Sequence, residues 1–214
     1  MLTSNDFNLW ANEYDASVNL SEENNQYPFA GYKDVLNYIY KQVCKKENAA
    51  VLDIGFGTGT LTSQLYNKGY RIAGLDFSHK MVEIARKKMP NALLVTGDFS
   101  NEFSDEIKSL KYDYIISTYA IHHLSDIKKI SFIDKICLLL KPSGKIFLGD
   151  ISFKTKMELN ECKEKFIDYW DYTESYFIYS QIKEKLKYKY NCSYKKISHC
   201  AGILTITLKD NSLL

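Results

Sequence analysis

The sequence predicts an α/β fold in which helices cover both faces of one mostly parallel sheet. Five short apolar runs alternate with stretches of helical periodicity along the middle of the chain. The apolar runs are nearly continuous rather than alternating, as in parallel strands that are buried on both faces. A length of 214 residues suits a single domain. A doubly wound sheet of this kind binds its ligands beyond the carboxyl ends of its strands.

The first 48 residues are predicted to form a helical cover. Apolar residues at helical spacing predict two helices, the first marked by Phe7, Trp10, Ala11, Tyr14 and Val18 and the second by Val35, Leu36, Ile39 and Val43. A polar interruption that leads to Pro28 separates them. We therefore expect residues 1–48 to pack against the sheet that follows.

Residues 49–151 are predicted to form the core. The predicted strands are residues 49–54, 71–75, 92–96, 112–117 and 145–151. Between them, one helix contains Leu61 and Leu65 and ends at Gly69, and another begins at Ser78 as N-cap and ends before Pro90. A third helix is predicted from Ile130, Ile133, Cys137 and Leu140 and is expected to end at the segment Lys-Pro-Ser-Gly of residues 141–144.

The last third of the chain has a looser pattern. Residues 156–170 and 175–190 are predicted to be helical and are rich in tyrosine. Two strands, residues 193–198 and 202–208, follow with a connection too short for a crossover helix, so this pair should be antiparallel. The whole chain is then one domain with seven strands, a helical cover of the substrate at 152–192 and a C-terminal hairpin at 193–214.

A glycine loop follows the first predicted strand, in the segment VLDIGFGTGTL of residues 51–61. Gly55, Gly57 and Gly59 permit positive φ and close approach of a ligand to the backbone. Thr60 occupies the third glycine position of the dinucleotide fingerprint, and Asp53 would repel a pyrophosphate. Asp53 suits the ammonium group of S-adenosylmethionine, whose carboxylate the N–H groups of Gly57 and Gly59 can receive.

Acidic residues also end the second and third strands. Asp76 is placed to bind a ribose diol, which occurs in either class of cofactor. Asp98 and Phe99 are placed to accept a hydrogen bond from an adenine amino group and to stack on its ring. An N-terminal helix cap for Asp76 and an Asx turn for Asp98 are the competing structural roles.

The segments VLDIGFGTGTL, GLDFSHKMVEIARKK, VTGDFS, YDYIISTYAIHHLSD and LLLKPSGKIFLGD together resemble the class I S-adenosylmethionine-dependent methyltransferases, which have a Rossmann-like fold. The flanking LWANEYDASV and FAGYKDVLNYIY resemble small bacterial methyltransferases of types 11 and 25. The resemblance implies a seven-stranded sheet whose last strand is antiparallel. It also implies a cofactor site of Tyr14, Asp53, Gly55, Gly57, Gly59, Asp76, Phe77, Met81, Asp98, Phe99 and Thr118.

His122 and Tyr119 follow the fourth strand and are the predicted catalytic residues. Histidine titrates near neutral pH, so His122 can serve as the general base or as a contact of the methyl acceptor. A histidine ring that bonds backbone at the start of the next helix is the alternative. The candidates for the wall of the acceptor pocket are Tyr119, Trp170, Tyr172, Glu174 and Tyr176, whose aromatic rings and single carboxylate suit a small amphipathic or cationic acceptor.

The predicted acceptor is a small molecule. Residues 117–120 read Ser-Thr-Tyr-Ala instead of the (Asn/Asp)-Pro-Pro-(Tyr/Phe) element that the resemblance associates with methylation of exocyclic base amines. The formal net charge of +2 also disfavours nucleic acid. Three alternatives stay open: an RNA methyltransferase that uses the lysines of residues 183–196, an NAD-dependent oxidoreductase, and a protein that binds the cofactor without turnover.

Several further expectations concern metal, compartment and membrane. The five cysteines form no CxxC pair, so we expect free thiols, no metal and a cytoplasmic protein. The longest apolar run, at residues 136–140, is too short to span a membrane. The sequence does not indicate an oligomeric state.

Overall fold

The computed structural model of the protein describes residues 26–209. The predicted first helix, with Tyr14, therefore lies outside the described residues. The second predicted helix is present, with Val35, Leu36, Ile39 and Val43 on its buried face.

The strands form one sheet of the predicted class. They are β1 (Ala50–Ile54), β2 (Arg71–Asp76), β3 (Leu93–Thr96), β4 (Tyr112–Thr118), β5 (Leu140–Phe153), β6 (Phe177–Ile178), β7 (Tyr190–Lys196) and β8 (Ala201–Leu208). Their order is β3-β2-β1-β4-β5-β8-β7, and β1 to β5 are parallel. β8 is antiparallel to β5 and β7, which confirms the mixed sheet and the antiparallel last strand. The two-residue β6 pairs with the end of β5 and is additional to the seven predicted strands.

Helices cover both faces of this sheet. They are α1 (Tyr32–Val43), α2 (Thr62–Asn67), α3 (His79–Lys88), α4 (Asp105–Lys108), α5 (Asp126–Cys137), α6 (Lys156–Lys165) and α7 (Tyr179–Leu186), with short 3-10 helices at Ile121–His123 and Ile167–Tyr169. Residues of α1, α2, α3 and α6 join one buried apolar cluster, and residues of α4, α5 and α7 join the other. Successive residues of β1 enter different clusters, Val51 one and Leu52 the other. Because both faces are covered, the strands are apolar throughout, as the sequence predicted.

The predicted cap of α3 is confirmed. The Ser78 Oγ accepts a hydrogen bond of 3.2 Å from the Met81 N–H, and Ser78 has extended backbone dihedrals. This bond satisfies one of the N–H groups that a helix start leaves without a partner inside the helix. Ser78 thereby fixes where α3 begins, directly after the acidic end of β2.

Several predicted element boundaries are wrong. The helix predicted to include Leu140 ends at Cys137, and Leu140 begins β5 opposite Tyr112. The run of residues 136–140 is apolar throughout, so periodicity cannot separate the end of a buried helix from the start of a buried strand. Residues 175–190 are helical only over Tyr179–Leu186, because β6 precedes this helix and β7 follows it from Tyr190.

Within residues 26–209, no helix combines the length and apolar character that crossing a membrane requires.

Candidate active site

A cavity of about 230 Å³ opens beyond the carboxyl ends of the parallel strands, while a second one, lined by residues of β5, β6, α7, β7 and β8, measures only about 10 Å³. The walls of the larger cavity come from the loops after β1, β2, β3 and β4. The chain changes direction across the sheet between β1 and β4. The cavity therefore lies where open α/β sheets bind ligands, at the point where the strand order reverses.

The structure brings most of the predicted site residues together in this cavity. Its lining includes Asp53, Gly55, Gly57, Asp76, Phe77, Met81, Asp98, Phe99, Thr118 and Tyr119. Gly59 and His122 are not part of the lining, and Tyr14 lies outside the described residues. Leu36 and Tyr32 on α1 also line the cavity, and the sequence analysis assigned no site role to either of them.

The three glycines of the loop all have positive φ, at 73° for Gly55, 57° for Gly57 and 78° for Gly59. The Gly57 N–H donates to the Asp76 Oδ2 at 2.7 Å, and the Gly59 N–H donates to a backbone carbonyl within the loop. Both groups that the sequence analysis assigned to a ligand carboxylate are thus bonded within the protein. A Cβ on Gly59 would lie 2.9 Å from the Met89 Cε, so Gly59 permits the loop to pack against the residues around the end of α3.

Asp53, at the end of β1, is buried with one carboxylate oxygen unpaired. The Thr62 hydroxyl donates to its Oδ2, whereas Oδ1 has no hydrogen-bond partner among the described residues. Burial raises the pKa of Asp53 to about 7, with a further contribution from Asp76, although the Thr62 hydroxyl opposes the shift. An unpaired buried acceptor is costly, so this oxygen is placed to receive a donor or a cation from a ligand.

Asp76 and Asp98 also bond to nearby backbone. Asp76 accepts hydrogen bonds from the Gly57 N–H and, at 2.9 Å, from the Ser78 N–H. Burial raises the pKa of Asp76 to about 6, although these two bonds oppose the shift. Asp98 accepts from the Ser100 N–H and hydroxyl, both at 2.8 Å. The Asx turn considered for Asp98 is present, and Asp98 lines the cavity as well.

Aromatic residues form the wall above the end of β4. Tyr119 has φ of 50°, a left-handed conformation that is uncommon for a bulky residue. Its ring lies 5.0 Å from the Tyr32 ring and 5.5 Å from the Phe29 ring. Strained backbone of this kind persists where surrounding packing enforces it, often at a functional site.

The two consecutive histidines have different environments. His122 is buried, and its Nδ1 lies 2.6 Å from the Asp150 Oδ1, so its ring bonds a carboxylate rather than backbone. Burial lowers the pKa of His122, but Asp150 and Glu174 outweigh burial and raise it overall. His123 lines the cavity, and burial together with the charge of His122 lowers the pKa of His123 to about 3.

Glu174 reaches the cavity from the loop before β6. Its Oε1 lies 3.4 Å from the His122 Nε2, its Oε2 accepts from the Tyr176 hydroxyl at 2.8 Å, and burial raises its pKa. Of the five residues considered for the acceptor wall, Tyr119 and Glu174 line the cavity, whereas Trp170, Tyr172 and Tyr176 do not. Trp170 stacks on Tyr27 at 5.2 Å, and Tyr172 is exposed.

A buried lysine fixes the loop that carries Glu174. The Lys129 Nζ, on α5, donates to the Leu124 carbonyl at 2.7 Å and to the Ser175 Oγ at 2.8 Å. Lys129 was not among the predicted site residues, although Lys129 lies on the same helix face as Ile133 and Ile136. A lysine on an apolar face is the sequence signal for such an anchor, because a buried ammonium needs several acceptors.

The lysines of residues 183–196 lie outside the cavity lining. Three of them pair with carboxylates, namely Lys187 with Glu184, Lys189 with Asp134 and Lys196 with Glu158. This pairing reduces the positive charge that a phosphate backbone would meet.

Comparison with known proteins finds relatives of this chain by sequence and proteins that share its fold. The model of the Methyltransferase domain family matches residues 51–144. An uncharacterised methyltransferase of Oceanobacillus iheyensis is 37% identical over 162 residues, which cover 76% of this chain and 71% of that protein.

Two solved structures share the fold. One, described as a DhpI–SAH complex, aligns with a TM-score of 0.69 at 18% identity and covers 98% of this chain and 96% of its own. The other is the magnesium protoporphyrin IX methyltransferase of Synechocystis PCC 6803 with bound SAH, with a TM-score of 0.65 at 19% identity and 85% coverage of each chain. The sequence match, together with this fold, shows that the chain belongs to the family of class I S-adenosylmethionine-dependent methyltransferases.

Proposed function

We propose that this methyltransferase transfers the methyl group of S-adenosylmethionine to a small-molecule acceptor that binds in the same cavity. The observation that carries the proposal is the unpaired buried Oδ1 of Asp53 at the end of β1. A carboxylate there suits a cationic ammonium and opposes the phosphates of a dinucleotide. The carboxylate of Asp53 therefore favours methyl transfer over hydride transfer from NAD.

The residues around the cavity fit the parts of the cofactor. Asp53 would hold its ammonium group, Asp76 its ribose diol, and Asp98 with Phe99 its adenine. The bound cofactor supplies a methyl group that its sulfonium already activates. The protein's main contribution is then to align the acceptor for in-line displacement and to keep water away from it.

The opposite end of the cavity suits a small acceptor. This end is lined by Tyr32, Tyr119, His123, Thr173 and Glu174, which come from three separate segments of the chain. Two aromatic rings and a carboxylate would favour an amphipathic or cationic molecule. Three of the six lysines at 183–196 are paired with carboxylates, which counts against the RNA alternative because it reduces the positive charge available to a phosphate backbone.

We place the nucleophile of the acceptor next to His123 and Glu174. Both residues line the cavity, whereas His122 lies behind them and bonds Asp150. His122, predicted as base or acceptor contact, is then a positioning residue that acts through Glu174.

The affinity for S-adenosylmethionine should rise with pH through about 7. The bound ammonium favours the deprotonated form of Asp53, whose pKa is about 7 before binding, so binding releases a proton. Affinity is therefore lost as pH falls, by about twentyfold between pH 7.5 and pH 5.5 if only Asp53 titrates. Calorimetry at a series of pH values in this range measures the slope, and a dissociation constant that stays flat would contradict the role of Asp53.

Two measurements test the proposed function. Calorimetry should detect S-adenosylmethionine and S-adenosylhomocysteine, and no binding of either below about 1 mM would refute the cofactor assignment. Transfer of radiolabelled methyl groups should then be measured on a bacterial extract that is separated into small metabolites and RNA. We expect the label among the small metabolites. Label that stays with the RNA and is released by ribonuclease would support the RNA alternative instead.

A further inference from the structure

We propose that His122, His123 and Glu174 form a binding site for a divalent transition-metal ion at the acceptor end of the cavity. One ring nitrogen of each histidine and one carboxylate oxygen of Glu174 all lie within 4.8 Å of one another. No metal was predicted from the sequence. Consecutive histidines and a glutamate that is distant in sequence match no standard ligand spacing, so only the fold brings the three together.

The distances suit a metal ion after small side-chain rotations. The Glu174 Oε1 lies 3.4 Å from the His122 Nε2 and 3.8 Å from the His123 Nδ1. Bonds of about 2.0–2.2 Å to imidazole nitrogen and carboxylate oxygen place neighbouring donors roughly 3–3.5 Å apart. The two separations between Glu174 and the histidines are therefore already close to those that one shared ion requires, and the two ring nitrogens lie no more than 4.8 Å apart.

The carboxylate of Asp150 and the hydroxyl of Tyr176 orient these donors. Asp150 accepts from the backbone N–H groups of Ile121 and His122 at 3.0 and 3.1 Å, which holds it against the His122 Nδ1. With its Nδ1 bonded to a carboxylate, His122 presents its Nε2 to Glu174, the arrangement that supports histidine ligands in metal sites. The Tyr176 hydroxyl donates to the Glu174 Oε2, so Oε1 is the oxygen that faces the histidines.

The chemistry of the donors indicates which ion would bind. Two imidazoles and one carboxylate suit zinc and similar divalent ions, whereas magnesium and calcium prefer oxygen ligands. His123 and Glu174 both line the cavity, so an ion held by them would keep open positions that face the acceptor.

An open position would take an oxygen donor of the acceptor, an inference that rests on the proposed function. Coordination lowers the pKa of a bound hydroxyl, which then loses its proton to solvent. The oxygen lone pair would form the new bond to the methyl carbon as the bond from that carbon to sulfur breaks. The electron pair of the broken bond stays on sulfur and leaves it neutral, so the products are a methyl ether and S-adenosylhomocysteine.

Calorimetry with zinc chloride on chelator-treated protein without an affinity tag tests the site. We expect one equivalent to bind, and we expect His123→Ala and Glu174→Gln each to weaken binding at least about tenfold. His79→Ala is the matched control, because His79 is an exposed histidine outside the cavity lining, and it should change the zinc affinity less than about twofold. Thermal unfolding of each variant verifies that the fold is intact.

Cobalt binding to the unmodified protein gives a second readout that does not depend on how the variants fold. The five cysteines are free thiols, so a thiolate-to-cobalt charge-transfer band would place the ion on a cysteine and overturn the proposal. Zinc binding that survives in a variant carrying both His123→Ala and Glu174→Gln, or no stoichiometric zinc binding to the unmodified protein, would overturn it too. S-adenosylmethionine binding on the same samples separates the two proposals: if it persists while zinc fails to bind, only the metal site is refuted.

Discussion

Replacing Asp53 by asparagine is expected to weaken S-adenosylmethionine binding at least about a hundredfold, since loss of one member of a buried charged pair costs roughly 3–5 kcal/mol. The amide keeps the shape of the side chain but removes the negative charge that we assign to the cofactor's ammonium group. Calorimetry at pH 7.5 measures the change. A loss of less than threefold would remove Asp53 from the cofactor site.

Stability measurements on the same variant separate lost binding from lost folding. The pKa of Asp53 is raised by folding from 3.8 to about 7, so the folded protein loses stability as pH rises through that range. The asparagine variant has no such loss and should be no less stable than the parent protein at pH 8 in the absence of cofactor. Asp105→Asn serves as the control, because Asp105 is an exposed aspartate outside the cavity lining.

Replacing Gly55 by alanine is expected to destabilise the protein by about 3 kcal/mol or more. Positive φ penalises any L-residue by roughly 1–2 kcal/mol, and overpacking adds roughly 1–3 kcal/mol. The overpacking arises because a Cβ on Gly55 would lie 2.4 Å from the Cβ of Ala120, where the loop after β1 meets the loop after β4. Neither loop can move away without opening the cavity that both of them line.

Gly57→Ala is the matched control for this prediction. Gly57 has a similar positive φ of 57°, but nothing lies within 4 Å of its added Cβ. We expect it to lose only about 1 kcal/mol, from backbone strain alone. Urea unfolding of both variants measures the difference in their free energies of unfolding, which isolates the contact with Ala120. Equal losses would mean that the two loops relax freely.

Much of the fold was predictable because local chemistry determined it. The buried strands, three of the four α-helices of the core and the Ser78 cap have short-range signals that the structure confirms. One error fell where a single apolar run contributes to two elements, at Leu140. Helices and strands that are buried on every side both consist of apolar residues, so the periodicity of apolar residues cannot distinguish a helix from a strand in such a run.

The candidate site was predictable on the cofactor side more than on the acceptor side. Asp53 and Asp76 lie at the ends of parallel strands and Asp98 follows one, and parallel strands end at one edge of the sheet, so these residues had to meet. The acceptor side depends on contacts between residues that are far apart in the sequence. Glu174 reaches the cavity through a loop that Lys129 holds to α5, and no spacing in the sequence indicates this contact.

The sequence by itself determined the class of the sheet, the glycine loop after β1 and the acidic residues that face a cofactor, since each follows from residue type and spacing along one strand and its loop. Only the tertiary structure decided that His123 lines the cavity while His122 turns to Asp150. Consecutive side chains differ in direction by an angle that the backbone sets, and here a 3-10 helix after the strained Tyr119 sets it. Packing between segments that are distant in sequence determines this backbone conformation, so the directions of the two histidine side chains cannot be predicted from the sequence alone.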